Sequence, residues 1–240
     1  VRKYPDAHFQ LVKDLEFIEA DFSEGGAFYN DGRGWEPIGT KAPPFTGVFD
    51  GCGYTIQGLF INMSSQGTVY TGLFGRSEGT IQNLNLKDAS ITVKVTGDGS
   101  IYDYAAYVGG IAGSAKYKRV NDCCVIDCDI SVEAVFSCAG GVIGSNSAPM
   151  ENCHVKGGVI RVQGRRACAG GITGENNSNI SLCSSSARIE AQGTAKNFPY
   201  AYAGGIVGNN CDGNISDCYN TGNVTIKDYS SYSAYAGGIA

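Results

Sequence analysis

The sequence predicts an all-β protein: a right-handed parallel β-helix, or solenoid, with about 30–38 residues and three short strands per coil. Three observations predict it. A glycine-bounded tetrad recurs at near-constant spacing, a second apolar signature follows each tetrad, and a short β-branched run follows each second signature.

The tetrads align without gaps: Gly72-Leu73-Phe74-Gly75, Gly110-Ile111-Ala112-Gly113, Gly141-Val142-Ile143-Gly144, Gly171-Ile172-Thr173-Gly174 and Gly205-Ile206-Val207-Gly208. Gly238-Ile239-Ala240 begins a sixth, and the steps between first glycines are 38, 31, 30, 34 and 33 residues. Six or seven residues after each tetrad come Ile81-Gln82-Asn83-Leu84, Val120-Asn121-Asp122-Cys123, Met150-Glu151-Asn152-Cys153, Ile180-Ser181-Leu182-Cys183 and Ile215-Ser216-Asp217-Cys218. The β-branched runs are Ile91–Val95, Ile130–Val132, Val159–Val162, Ile189–Ala191 and Val224–Ile226, with Gly, Asn, Asp and Ser between the segments. A helical spacing shows only weakly, at Leu11, Leu15 and Ile18.

Strands this short cannot bury their own faces, so they must stack coil on coil, placing like residues about 4.8 Å apart along the axis. Ile111, Val142, Ile172, Ile206 and Ile239 then form one internal ladder, and Leu84, Cys123, Cys153, Cys183 and Cys218 another. The second ladder accounts for much of the cysteine content. A slot holding Leu in one coil and Cys in four is a small buried apolar position, so these thiols read as structural. Cys138 and Cys168 share a slot with Tyr107, Tyr202 and Tyr235 and read as packing residues too. Stacked thiols are within the Cα range of a disulfide in an oxidising compartment. Zinc spacing is absent and the histidines are His8 and His154, so no metal and no cofactor is expected.

Composition sets the remaining bounds. Thirty-five glycines against six prolines favour tight turns over a disordered linker, and 42% hydrophobic residues suffice for a core. The net charge is −5, and the main basic cluster is Lys116, Lys118 and Arg119, which argues against nucleic acid as a partner. No apolar run approaches the roughly 18 residues of a membrane span, so no membrane insertion is expected. Residues 1–65 read as an N-terminal cap and first coil or coils, given apolar weight by Trp35, Phe45, Phe49 and Phe60. Residues 66–240 read as repeats that continue beyond Ala240, in a fragment excised from a longer mature protein.

The tetrads, with the upstream Trp35-Glu36-Pro37-Ile38-Gly39, Pro44-Phe45-Thr46-Gly47-Val48-Phe49-Asp50-Gly51 and Thr55-Ile56-Gln57-Gly58-Leu59, resemble the bacterial GLUG-motif repeat of IgA-protease-associated and adhesin-like surface proteins. The resemblance spans about residues 8 to 240. It implies an extracellular or bacterial cell-surface location and an adhesive or host-interacting role. The peptidase members carry a zinc-binding His-Glu-x-x-His motif in a separate region, and this sequence has none. The resemblance therefore transfers architecture and location but no active site.

A carbohydrate-active β-helix would need carboxylates recurring at one coil position. Asp122, Glu151 and Asp217 align within two residues of each other, but their counterparts include Gln82, Asn83 and Ser181, which suits polar turn positions better; no catalytic residue is assigned. Arg165-Arg166 reads as a surface turn, with contact to an anionic ligand as the alternative. Asn30-Asp31-Gly32-Arg33-Gly34 supplies too few oxygens for calcium. Asp50-Gly51 reads as a capped turn. The longer coils expand just before the tetrad, and the expansions are aromatic: Tyr102 and Tyr104, Phe198 and Tyr200, Tyr229 and Tyr232. Solenoid loops project on one side, and tyrosines suit adaptable recognition. These six residues are the expected ligand-binding loops, the expected partner is a host glycan or a host surface or matrix protein, and the expected role is adhesin-like and non-catalytic. A β-helix enzyme, or a passive spacer attached to a protease domain, are the alternatives.

Overall fold

A computed structural model describes residues 1–97, 103–194, 200–228 and 233–240, and in it the chain winds into a parallel β-solenoid of about six coils. One coil shows the layout. Thr80–Gln82, Asn85–Lys87, Ser90–Val95, Ala105–Gly109 and Ala112–Lys116 follow one another around the axis. Each stacks in parallel on its counterparts, and the described residues form five sheets of seven, seven, six, six and five strands, numbered 1 to 5 in that order. The register keeps like on like: Ile91 pairs with Ile61 and Ile130, and Val93 with Met63 and Val132.

The coil therefore has five strands where the sequence reading expects three. The difference arises because two of the three signatures are corners. The second signature bends at Asn83, Asp122, Asn152, Leu182 and Asp217, whose φ values are 52°, 54°, 53°, 57° and 53°. That bend ends sheet 1, turns the next residue inward and starts sheet 2. Asn and Asp tolerate this left-handed conformation better than other residues with a Cβ, which is why polar residues recur there. The glycine tetrad is the other corner, dividing sheet 4 from sheet 5 at residues such as Gly110 and Ile111.

Both expected ladders form except in the last coil. Ile111, Val142, Ile172 and Ile206 are buried and Leu73 extends their column, each further aliphatic contributing about 2 kcal/mol of burial, whereas Ile239 in the last coil is exposed. Their backbones connect directly, Ile111 N–H to Val142 O and Val142 N–H to Ile172 O at 3.0 Å. Leu84, Cys123, Cys153 and Cys183 are likewise buried, while Cys218 in the last coil is half-buried. Inside sheet 5, buried Asn146 and Asn176 form a polar ladder: Asn146 Nδ2 donates to Asn176 Oδ1 at 2.9 Å, and Asn176 Nδ2 to Asn210 Oδ1 at 2.8 Å. Their oxygens also accept from Ala148 and Ser178 N–H, satisfying the buried amides as low dielectric requires.

At the N-terminal end, His8–Gln10 and Leu15–Glu16 stack on Val48–Asp50 and Thr55–Gln57. The weak helical spacing at Leu11, Leu15 and Ile18 forms no helix, since Leu15 lies in a strand; the one helical turn, Glu19–Phe22, begins just after Ile18. Phe17, Phe22, Phe28, Trp35 and Phe60 cluster with centroids 5.1–6.1 Å apart, and Trp35 Nε1 donates to Leu73 O at 3.0 Å. Asp50 caps its turn through Cys52 N–H at 2.8 Å, and a bond from Gln82 above all holds its carboxyl below the usual range. On the outer face of sheet 3, nearly buried Glu190 meets Arg161 at 3.4 Å, Lys227 at 3.2 Å, and Arg188. Burial alone would raise its pKa, but the bonds from Arg188 and Lys227 outweigh that and lower it.

Leu182 stands apart from the Asn and Asp residues at its corner, with φ of 57° and a side chain 49% exposed. Leu182→Asn should raise the urea midpoint, by roughly 1 kcal/mol of added stability, because the strain is relieved with little burial lost. An unchanged or lower midpoint would show that the corner is not strained.

Candidate functional site

The corner created by the tetrad also shapes the outer surface. A Cβ on Gly171 would lie 2.1 Å from Gly205 O and 2.4–2.5 Å from the Ser185 side chain, so the first glycine presses across the core against sheet 2. A Cβ on Gly174 would lie 2.6 Å from Ala139 N and 2.8 Å from Cys138 Sγ, so the second glycine brings sheet 5 against the outside of sheet 4. The wall folds inward here, leaving an external cleft between the two sheets.

Sheet 4 lines one side. Strand alternation sends Ala106 and Val108 inward and Tyr107 outward. Stacking then builds an outer column Tyr70, Tyr107, Cys138, Cys168, Tyr202 and Tyr235, beside a second column Ala105, Phe136, Arg166, Tyr200 and Ser233. Sheet 5 contributes Arg76, Ser114, Ser145, Glu175 and Asn209 in one row.

The slot shared by Tyr107, Cys138, Cys168, Tyr202 and Tyr235 is thus a real register position, on the outer face of the sheet. Where it holds Tyr, the rings stack: Tyr70 on Tyr107 at 4.9 Å and 7°, Tyr202 on Tyr235 at 5.5 Å and 11°. Where it holds Cys, the small side chain tucks against sheet 5, with Cys138 Sγ donating to Gly144 O at 3.2 Å, and both thiols are buried. Burial pushes the Cys138 thiol well above its ordinary pKa, so it stays neutral.

Arg166 crosses the cleft. Its guanidinium reaches Glu175 at 3.3 Å and lies 4.9 Å from the Phe136 ring centroid and 5.8 Å from that of Tyr202. Glu175 Oε1 also accepts from Asn209 Nδ2 and Cys211 Sγ, each at 3.4 Å. Arg165, Arg166, Tyr200 and Tyr202 line a half-open cavity of about 260 Å³. A hollow of about 570 Å³ lies beside Tyr70, with Arg33, Glu36 and Lys41 among its lining residues.

Of the six expected loop residues, Tyr102, Phe198, Tyr229 and Tyr232 lie outside the described residues. Tyr104 is half-buried and packs on the core beside Gly97. Tyr200 belongs to a sheet 4 strand and lies parallel to Tyr202 at 6.4 Å. The Arg165-Arg166 doublet is only half a turn: Arg165 occupies the bend, and Arg166 opens the strand Arg166–Gly170. Asp122 and Asp217 sit at left-handed corners, where Asp122 accepts from Asn152 Nδ2 at 2.7 Å. Asp31 pairs with Arg33 at 3.4 Å in a tight turn. No cluster of three or more His, Cys, Asp or Glu suited to a metal occurs among the described residues. Sequence reading gave Cys138 and Cys168 as packing residues of this slot, and both are buried; the alternation with inward Ala106, Val108, Ala201 and Ala203 was the signal that the slot, and with it Tyr107 and Tyr202, faces outward.

Residues 200–225 match the GLUG motif, and this segment contains the fifth tetrad with its second signature. The same corner recurs coil after coil. The chain carries the GLUG motif. The solenoid is 43% identical over 89 residues, 36% of the chain, to a candidate Gly-rich membrane protein of Evansella cellulosilytica. It is 36% identical over 124 residues, 49% of the chain, to halomucin of Haloquadratum walsbyi. The matched stretches span 9% and 1% of those proteins. A candidate immunoglobulin A1 protease from Bacteroides ovatus, known from a crystal structure, aligns over 96% of this chain and 76% of its own, with 18% identity and a TM-score of 0.49.

All ten cysteines are unpaired thiols in this fold, with Cys52 and Cys211 exposed. Cys128 shows the inert extreme, its thiol pushed up to about 12 by burial. A native-state Ellman titration under reducing preparation should therefore show Cys52 reacting first, Cys211 more slowly because burial and Glu175 push its thiol up to about 11, and the six buried thiols only on unfolding. Rapid reaction of Cys138 or Cys168 would contradict a closed cleft floor.

Proposed function

We propose that this GLUG solenoid is a non-catalytic segment of a secreted or surface protein, and that it recognises a glycan or a protein of its surroundings through the aromatic side of the cleft. The observation that carries the reading is the outer column of stacked tyrosines. Rigid amphipathic rings with few rotors lose little entropy on binding, and here they are aligned by the backbone register itself. The names of the two relatives, a Gly-rich membrane protein and a halomucin, support a surface setting.

Catalysis of glycoside cleavage would use two carboxylates about 5 to 9.5 Å apart, one of them free to carry a proton. Glu175 instead sits against Arg166 and accepts from Asn209 and Cys211, an arrangement that holds it in place. Its chemistry suits positioning of Arg166.

A glycan-array and matrix-protein screen of the 240-residue chain, beside a Tyr70→Ser/Tyr202→Ser variant of matched thermal midpoint, tests the reading. Capture by the parent that falls at least tenfold in the variant is the expected result. A parent that captures nothing would leave the passive-spacer alternative in its place.

A further inference from the structure

The geometry points to a subsite for an acidic sugar, a hexuronate unit of a saccharide chain, in the cavity formed by Arg165, Arg166, Tyr200 and Tyr202; this rests on the recognition reading above. Four observations carry it. Tyr200 and Tyr202 alternate on one strand, so both project from the outer face. Their rings are within 5° of parallel with centroids 6.4 Å apart, so two like-oriented rings line one side of the cavity. The electron-rich faces of such rings favour the polarised C–H bonds of a sugar, as they favour other electropositive edges.

The second observation is the polarity of the lining. Beside the two phenols, the charged groups of the cavity are guanidiniums, which donate and never accept. A neutral sugar needs mixed donors and acceptors, whereas a planar carboxylate is met in bidentate fashion by a guanidinium.

Third, the two arginines differ in a useful way. Arg166 is pre-positioned by Glu175 and by the rings of Phe136 and Tyr202, and its buried Nε–H meets no acceptor among the described residues. Arg165, in the adjoining bend, pairs with no carboxylate among the described residues. One arginine is therefore fixed and the other retains its full donor set.

Fourth, the cavity of about 260 Å³ falls just below the roughly 300–1,000 Å³ of sites that enclose a drug-sized ligand. It would hold one ring of a chain that continues along the open cleft. The net charge of −5 disfavours adsorption of polyanions to the molecule at large, so recognition of a uronate would depend on these two arginines.

The test is isothermal titration of the 240-residue chain with tetragalacturonate and with its carboxyl-reduced, neutral counterpart. Arg165→Gln, Tyr202→Ser and a remote Lys118→Gln are titrated alongside, each checked for an unchanged thermal midpoint. The uronate should bind at least tenfold more tightly than the reduced sugar; Arg165→Gln and Tyr202→Ser should each weaken it about tenfold, and Lys118→Gln should leave it unchanged. Equal binding of both sugars, no binding of the uronate, indifference to Arg165→Gln, or capture of a phosphotyrosine peptide in place of the uronate would each overturn the assignment. If the uronate fails while the tyrosine variant still loses a ligand found in the array, the recognition reading survives and only the acidic subsite falls. If the array is also blank, both fall.

Discussion

The fold depends on one steric constraint, the absence of side chains at the two glycines that bound each tetrad. The first glycine lets the corner press against sheet 2, so that Ile111, Val142, Ile172 and Ile206 occupy the centre of the coil. The second lets sheet 5 lie against the outside of sheet 4, where the distances of 2.6 and 2.8 Å from a Gly174 Cβ to Ala139 N and Cys138 Sγ leave no room for even a methyl group. Because the coils stack in strict register, whatever one corner allows is repeated at the next. The apolar ladder inside and the cleft outside are two consequences of the same corner.

The contents of the cleft follow from that geometry. Cysteine fits the narrow floor beneath Arg166 in two coils, while tyrosine fills the same position toward both ends and stacks above the floor. The Arg166–Glu175 pair joins the two lips. Elsewhere the same stacking rule turns single side chains into columns, as in the Asn146–Asn176–Asn210 ladder, where each amide satisfies the next.

Much of the architecture was legible because a solenoid writes its register into its period. Ile111 to Ile206 and Cys123 to Cys218 could be aligned by eye, and both columns lie where that alignment puts them. The strand count was not legible, because Asn83 and its equivalents look like the middle of a strand signature until their φ is known. The cleft was half legible. The shared slot of Tyr107, Cys138 and Tyr202 was visible in the sequence, but its outward direction depends on how closely sheets 4 and 5 approach, which no local pattern encodes. Arg166 and Glu175 are nine residues apart and neither belongs to a repeated signature, and only the corner made by the tetrad between them brings them into contact.

The most direct test is the stability cost of one methyl group at the corner. By urea denaturation, Gly174→Ala should lose about 1–3 kcal/mol, the cost of overpacking against backbone that cannot move away. Gly67→Ala, where nothing lies within 4 Å of the added Cβ, should stay within about 0.5 kcal/mol of the parent. If Gly174→Ala were as stable as Gly67→Ala, sheets 4 and 5 would not be in contact, and the account of both the core ladder and the cleft would be contradicted.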